Sequence, residues 1–175
     1  ETQPTADVTV TLTPDSQVSL STTTLTFTSA DWNVPQTVTV TAVDDAVYEG
    51  NHVGAIDAIT GSTDPFYVGV VAATHPVQVT DNDTPGVVIT PPAALDLAEA
   101  TPLVGQTYQV RLLSEPVASV DVTVIPDAQV AANPVVVSFD STNWNVDQDV
   151  EITAVDDAVA EALNHPGVVT HDTAS

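Results

Sequence analysis

The chain has no lysine, and Arg111 is its only arginine, against 24 aspartates and glutamates. With four histidines counted neutral, the formal charge is −23. Binding to a phosphate backbone needs a basic face, so nucleic acid is excluded as a partner. Anionic lipid headgroups are disfavoured for the same reason. Cysteine and methionine are absent, so no disulfide contributes to stability. Aromatic residues make up only 5% of the chain. No apolar run approaches the roughly 18 to 20 residues that span a bilayer, so membrane insertion is not expected. No signal peptide opens the sequence.

Such an acidic chain repels itself unless cations screen or bind it. High charge with low hydrophobicity would read as disorder, but 43% of these residues are apolar, much of that valine. The apolar residues alternate with threonine. Val8–Leu12 reads V-T-V-T-L and Thr37–Thr41 reads T-V-T-V-T, a period of two that sorts valine and threonine onto opposite faces of a strand. Further strands are predicted at Leu25–Phe27, Val77–Val79, Val87–Ile89, Tyr108–Leu112, Val120–Val124, Val135–Phe139 and Val150–Ile152. Proline and Asp/Asn/Ser clusters separate them. No amphipathic helix is visible. The predicted class is all-β, with antiparallel sandwiches of two sheets.

The chain also repeats itself. Pro4–Glu49 aligns without a gap on Pro116–Glu161, with 24 of 46 positions identical. Identity concentrates where TSADWNVPQTVTVTAVDDAVYEG returns as DSTNWNVDQDVEITAVDDAVAEA. A period of 112 residues is a domain repeat, longer than a solenoid or propeller-blade repeat. The Thr80-Asp81-Asn82-Asp83-Thr84-Pro85 segment is the natural joint, which divides the chain into residues 1–85 and 86–175. By the internal alignment the first repeat lacks a counterpart of Val87–Leu112, and the second lacks one of Thr63–Asp83. Each sandwich is therefore expected to be incomplete within this chain. Either neighbouring sequence supplies the missing strands, or another copy does so by strand complementation.

Asp44, Asp45 and Glu49 follow one strand, and Asp81 and Asp83 follow the last strand of the same repeat. Loops at one end of a sandwich come together, so these acids are expected to approach one another. Two carboxylates 4 Å apart repel by roughly 4 kcal/mol at an effective dielectric near 20. A cation would relieve that, and calcium, which takes six to eight oxygens in flexible geometry, suits the donors. Zinc would want histidine or cysteine, and no such set is present.

The order V-D-D-x-x-x-E after a strand, closed by D-N-D at the end of the repeat, resembles the Calx-beta domain, and most of all the Calx-beta-like repeats of large bacterial surface and adhesin-type proteins. Leu97-Ala98-Glu99 with Tyr108-Gln109-Val110-Arg111-Leu112 resembles that family's opening motif and second strand. The resemblance implies immunoglobulin-like, seven-stranded sandwiches with calcium at the inter-domain end. Its implied ligands are Asp44, Asp45, Glu49, Asp81 and Asp83 in the first repeat, and Glu99, Asp156, Asp157 and Glu161 in the second. The first repeat lacks the opening glutamate, and the second lacks the closing D-N-D. Ala100 follows Glu99 where the family has glycine.

Other residues are read as structural. Trp32 and Trp144 occupy equivalent positions and are expected to pack rather than to stack on sugars. His52 and His165 lie in equivalent Asn-His pairs, displaced by one inserted residue, and are expected to pack in loops; His75 and His171 have no visible partner. No G-x-S-x-G elbow occurs. Paired acids that recur in both repeats argue against a glycosidase. The Asn82-Asp83-Thr84 glycosylation pattern falls within the implied ligand loop and is taken as chance. The expected function is a non-enzymatic, extracellular repeat of a bacterial cell-surface protein: a calcium-stiffened spacer or filament block, with Pro85 limiting hinge freedom. The alternative is a glycan- or protein-binding module of an adhesin.

Overall fold

The structure, a computed structural model, describes residues 2–90, 95–99, 104–157 and 165–175. Among these residues every regular element is a β-strand, and every ladder between named strands is antiparallel. The chain divides into two compact units. One comprises Glu1–Asp45 with Glu49–Asp81; the other comprises Ala46–Tyr48 with Asn82–Ser175.

The first unit contains β1 (Val8–Pro14), β2 (Val18–Leu20), β3 (Thr24–Phe27), β4 (Val40–Ala42), β5 (His52–Ser62) and β6 (His75–Val79). Its larger sheet runs β3-β1-β5-β6, and β2 pairs with β4. The second unit contains β7 (Val87–Thr90), β8 (Gln106–Leu112), β9 (Val120–Pro126), β10 (Val130–Asn133), β11 (Val136–Phe139), β12 (Gln148–Ala154) and β13 (Val169–Ala174). Here one sheet runs β10-β12-β8-β7 and the other β11-β9-β13.

The repeat seen in the sequence is also a repeat of register. In β1 and β3, Val8 pairs with Phe27 and Val10 with Leu25; in β9 and β11, Val120 pairs with Phe139 and Val122 with Val137. Likewise Val18 pairs with Ala42 across β2 and β4, as Val130 does with Ala154 across β10 and β12. The returning strands follow at one residue more. Pro14 pairs with Ile56, and Pro126 with Val169, a difference of 113. The single inserted residue therefore falls before the returning strand and leaves the ladders intact.

Alternation decides what is buried. In the second unit Tyr108, Val110 and Leu112 of β8, Val122 and Val124 of β9, Val137 and Phe139 of β11, and Val150 and Ile152 of β12 form one closed core. Both sheets contribute, so this unit is a β-sandwich. Trp144 packs against that core, in line with the structural role expected for it. In the first unit the buried cluster is only Val18, Ile56 and Val79, with Leu12, Leu20 and Val77 partly buried around it. The cause is the strand inventory: the first unit has no counterpart of β7 and β8, while the second has none of β6.

A second link ties the two sheets of the second unit. The Tyr108 hydroxyl lies 2.7 Å from His171 Nε2, and the two rings meet edge to face with centroids 5.5 Å apart. Burial holds His171 below its ordinary pKa and Tyr108 above its own. Neutral His171 accepts the hydroxyl hydrogen, whereas imidazolium has no lone pair with which to do so. Because its folded pKa is depressed, His171 contributes stability in full above about pH 6.5, and that contribution is lost as pH falls through the folded value. An NMR titration of the His171 ring should give a midpoint below that of the urea-unfolded chain. His171→Phe should flatten the difference in second-unit stability between pH 7 and pH 5; an unchanged slope would refute the assignment.

Candidate functional site

The acid-bearing loop of the first unit follows β4. Asp44 and Asp45 are solvent-exposed, as are Asp156 and Asp157 at the equivalent place after β12. Glu49 and Asp81 belong to the same unit as Asp44 and Asp45, while Asp83 falls in the second unit. Glu161 lies outside the described residues.

Asp81 is a backbone clip. Its Oδ2 accepts the Glu49 N–H at 2.8 Å and the Gly50 N–H at 2.6 Å. Gly50 adopts a φ of 69°, a left-handed conformation that a side chain would strain. One carboxylate thereby satisfies two adjacent amides where the chain reverses into β5. Glu49 is engaged as well. Its Oε1 accepts from Gln17 Nε2 at 3.1 Å, and its Oε2 lies 3.5 Å from His52 Nε2. The His52 ring reaches the Gly50 carbonyl through Nδ1 at 2.8 Å and Gln17 Oε1 through Nε2 at 3.0 Å. His52 is thus a loop-packing histidine, as expected. In the second unit Glu99 Oε1 stands 3.5 Å from His165 Nε2.

Two carboxylates matter that the sequence reading passed over. Asp15 Oδ1 accepts the Gln17 N–H at 3.0 Å, while its Oδ2 accepts the Ala55 N–H at 2.7 Å. Asp127 repeats this in the second unit, accepting from Gln129 N at 3.0 Å and Val168 N at 2.7 Å. Each aspartate closes its own turn and pins the start of the returning strand. The signal was present in the sequence as Pro14-Asp15-Ser16-Gln17-Val18 against Pro126-Asp127-Ala128-Gln129-Val130.

Asp64 is a third structural acid, with only 3% of its surface exposed. It accepts the Thr5 N–H at 2.8 Å, the Thr5 hydroxyl at 2.9 Å and the Phe66 N–H at 3.0 Å. The Thr5 amide, and after it the Phe66 amide, holds its carboxyl below the usual range. These bonds fasten the N-terminal segment to the end of β5.

Among the described residues, no three carboxylate or imidazole groups come together in a metal-binding arrangement. Of the acids implied as calcium ligands, Asp44, Asp45, Asp156 and Asp157 are exposed at strand ends, while Glu49 and Asp81 accept hydrogen bonds from side-chain and backbone donors. No protein-family model matches the chain, and no curated protein matches it.

Proposed function

We propose that this chain is a non-enzymatic structural repeat of an extracellular array, a spacer or filament block of a bacterial surface protein. Its two units are read as immunoglobulin-like sandwiches of the Calx-beta type. The observation that carries the reading is the duplicated strand register, in which β1–β3 and β9–β11 pair residue for residue at an offset of 112. A fold laid down twice in one chain in the same register suits a protein whose job is length and stiffness.

The mechanics follow from the ladders. Val8–Thr11 of β1 pair with β3 on one side and Val8–Pro14 with β5 on the other; in β9, Val120–Thr123 pair with β11 and Asp121–Pro126 with β13. Pulling such a strand out requires breaking bonds on both edges together. Its acids serve this role locally, since Asp15, Asp127, Asp81 and Asp64 each fasten a turn or chain end to a strand. Globally, the charge of −23 keeps neighbouring chains apart in solution.

Antibodies raised against the folded chain should label intact cells of the source organism, and brief protease treatment of those cells should remove the signal. Labelling only after lysis would refute the surface assignment.

A further inference from the structure

In the second unit β12 is flanked on both edges, by β10 and by β8. Gln148–Ile152 pair there with Val110–Gln106 in antiparallel register. The equivalent residues of the first unit are 36–40. Among the described residues, β4 pairs with β2 on one edge and with no strand on the other. Exposure follows from this difference. Val40 is 38% exposed where its counterpart Ile152 is 1% exposed. Val38, Leu25 and Phe27 are half-buried where Val150, Val137 and Phe139 are closed off from water.

Charge supplies a second, independent observation. Exposed strand edges are ordinarily guarded by charged side chains. Residues 32–43, Trp-Asn-Val-Pro-Gln-Thr-Val-Thr-Val-Thr-Ala-Val, contain no ionisable group, in a chain with 24 acids. The second unit carries Asp147, Asp149 and Glu151 along the covered strand; the first has Pro35, Thr37 and Thr39 at those positions. The strand that is already covered keeps its charges, and the open one has none.

We propose that the open β4 edge of the first unit is a docking groove for a β-hairpin with the alternating apolar pattern of β7–β8, supplied by residues other than the 175 of this chain. The incoming strand runs antiparallel beside residues 36–40 and places apolar side chains over Val38, Val40 and Phe27, as Tyr108 and Val110 do over the second core. Its outward side chains are uncharged. In the second unit Gln109 donates to Asp149 at 3.0 Å and Arg111 pairs with Asp147 at 3.4 Å, whereas Thr37 and Pro35 offer no carboxylate. The hairpin of a second copy of this chain is a poor donor. Its Tyr108, Val110 and Leu112 are already buried in its own core, and Tyr108 is bonded to His171.

The proposal rests on reading the chain as one stretch of a repeat array, and its test is independent of where the array is located. A synthetic peptide of residues 86–113 carrying Arg111→Thr and a composition-matched scrambled control are titrated into the full ¹⁵N-labelled chain. Saturable shifts at residues 36–43 and Phe27, slowed amide exchange over 36–40 and an unchanged second-unit spectrum are expected. Val40→Asp, at an exposed position, should weaken binding at least tenfold while the spectra of both units stay dispersed. No shifts at millimolar peptide would overturn the proposal, as would shifts confined to the second unit, where the peptide would be exchanging with β7–β8. Concentration-dependent dimers of the chain alone, abolished by Val40→Asp, would make a second copy the occupant and overturn the stated one.

Discussion

Phe139→Ala is expected to cost about 3–5 kcal/mol, while the equivalent Phe27→Ala costs less than half as much. The two phenylalanines share a position in the repeat and pair identically, with Val120 and with Val8. Their surroundings differ. Phe139 is one of nine clustered buried residues from both sheets, whereas Phe27 is half-buried in a unit whose buried cluster has three members. Truncating Phe139 removes apolar area and leaves a cavity that the rigid surroundings only partly close; at Phe27 water already reaches the ring. Domains are stable by about 5–15 kcal/mol, so the first loss is a large share of the total. Each unit has one tryptophan, which provides the assay. Urea unfolding followed at Trp144 in a Trp32→Phe background reads the second unit, and the reciprocal background reads the first. Equal losses would mean that the first unit's core is closed.

Sodium and calcium at matched ionic strength are expected to raise the melting temperature alike, with most of the gain between 10 mM and 500 mM salt. The formal charge of −23 is opposed by a single arginine, so folding concentrates like charge into a smaller volume. Screening at about 0.1 M shortens the reach of that repulsion to about 10 Å, irrespective of which cation supplies it. Among the described residues the loop acids form no group of three that could hold an ion, so screening is the expected cation effect. A calcium-specific gain of about 2.7 kcal/mol at 100 times the dissociation constant, removed by Asp44→Asn with Asp45→Asn, would return these acids to the role of ligands.

Strands written in alternating valine and threonine were legible in the sequence, and so was the duplication. The missed strands are those written in small or polar residues. β5, the longest strand, was not recognised because Gly54, Ala55, Ala58 and Gly61 blunt its pattern. Gly54 is small for a reason: a Cβ there would stand 3.1 Å from Val18 Cγ1 and 3.4 Å from Asp15 Oδ1. Close packing of β5 on the β1–β2 turn thus erases the signal that would have announced the strand. β13 is hidden similarly by His171 and Asp172 within it, while β2 has only three residues and β10 has two alanines and an asparagine after Val130.

Thr37–Thr39 were read as strand, yet regular pairing begins only at Val40. In the second unit the same positions are strand throughout, because β8 lies alongside. A pattern can specify a strand, but a ladder also needs a partner. At the acid loops the residues were legible in the sequence, but the hydrogen bonds of Glu49 and Asp81 were not. That Asp15 reaches the amide of Ala55, forty positions along the chain, follows only from the fold.

The shared register of β3 and β11 has a consequence for refolding. Two neighbouring segments that accept the same pairing can mistake each other for the native partner, the characteristic failure of tandem repeats. Residues 19–26 and 131–138 match at no position, although the flanking segments are strongly conserved between the two repeats. The segment that leads from β2 to β3, and from β10 to β11, therefore carries its own signature. Threonine-rich in one repeat and valine-rich in the other, it directs each returning chain to its own neighbour.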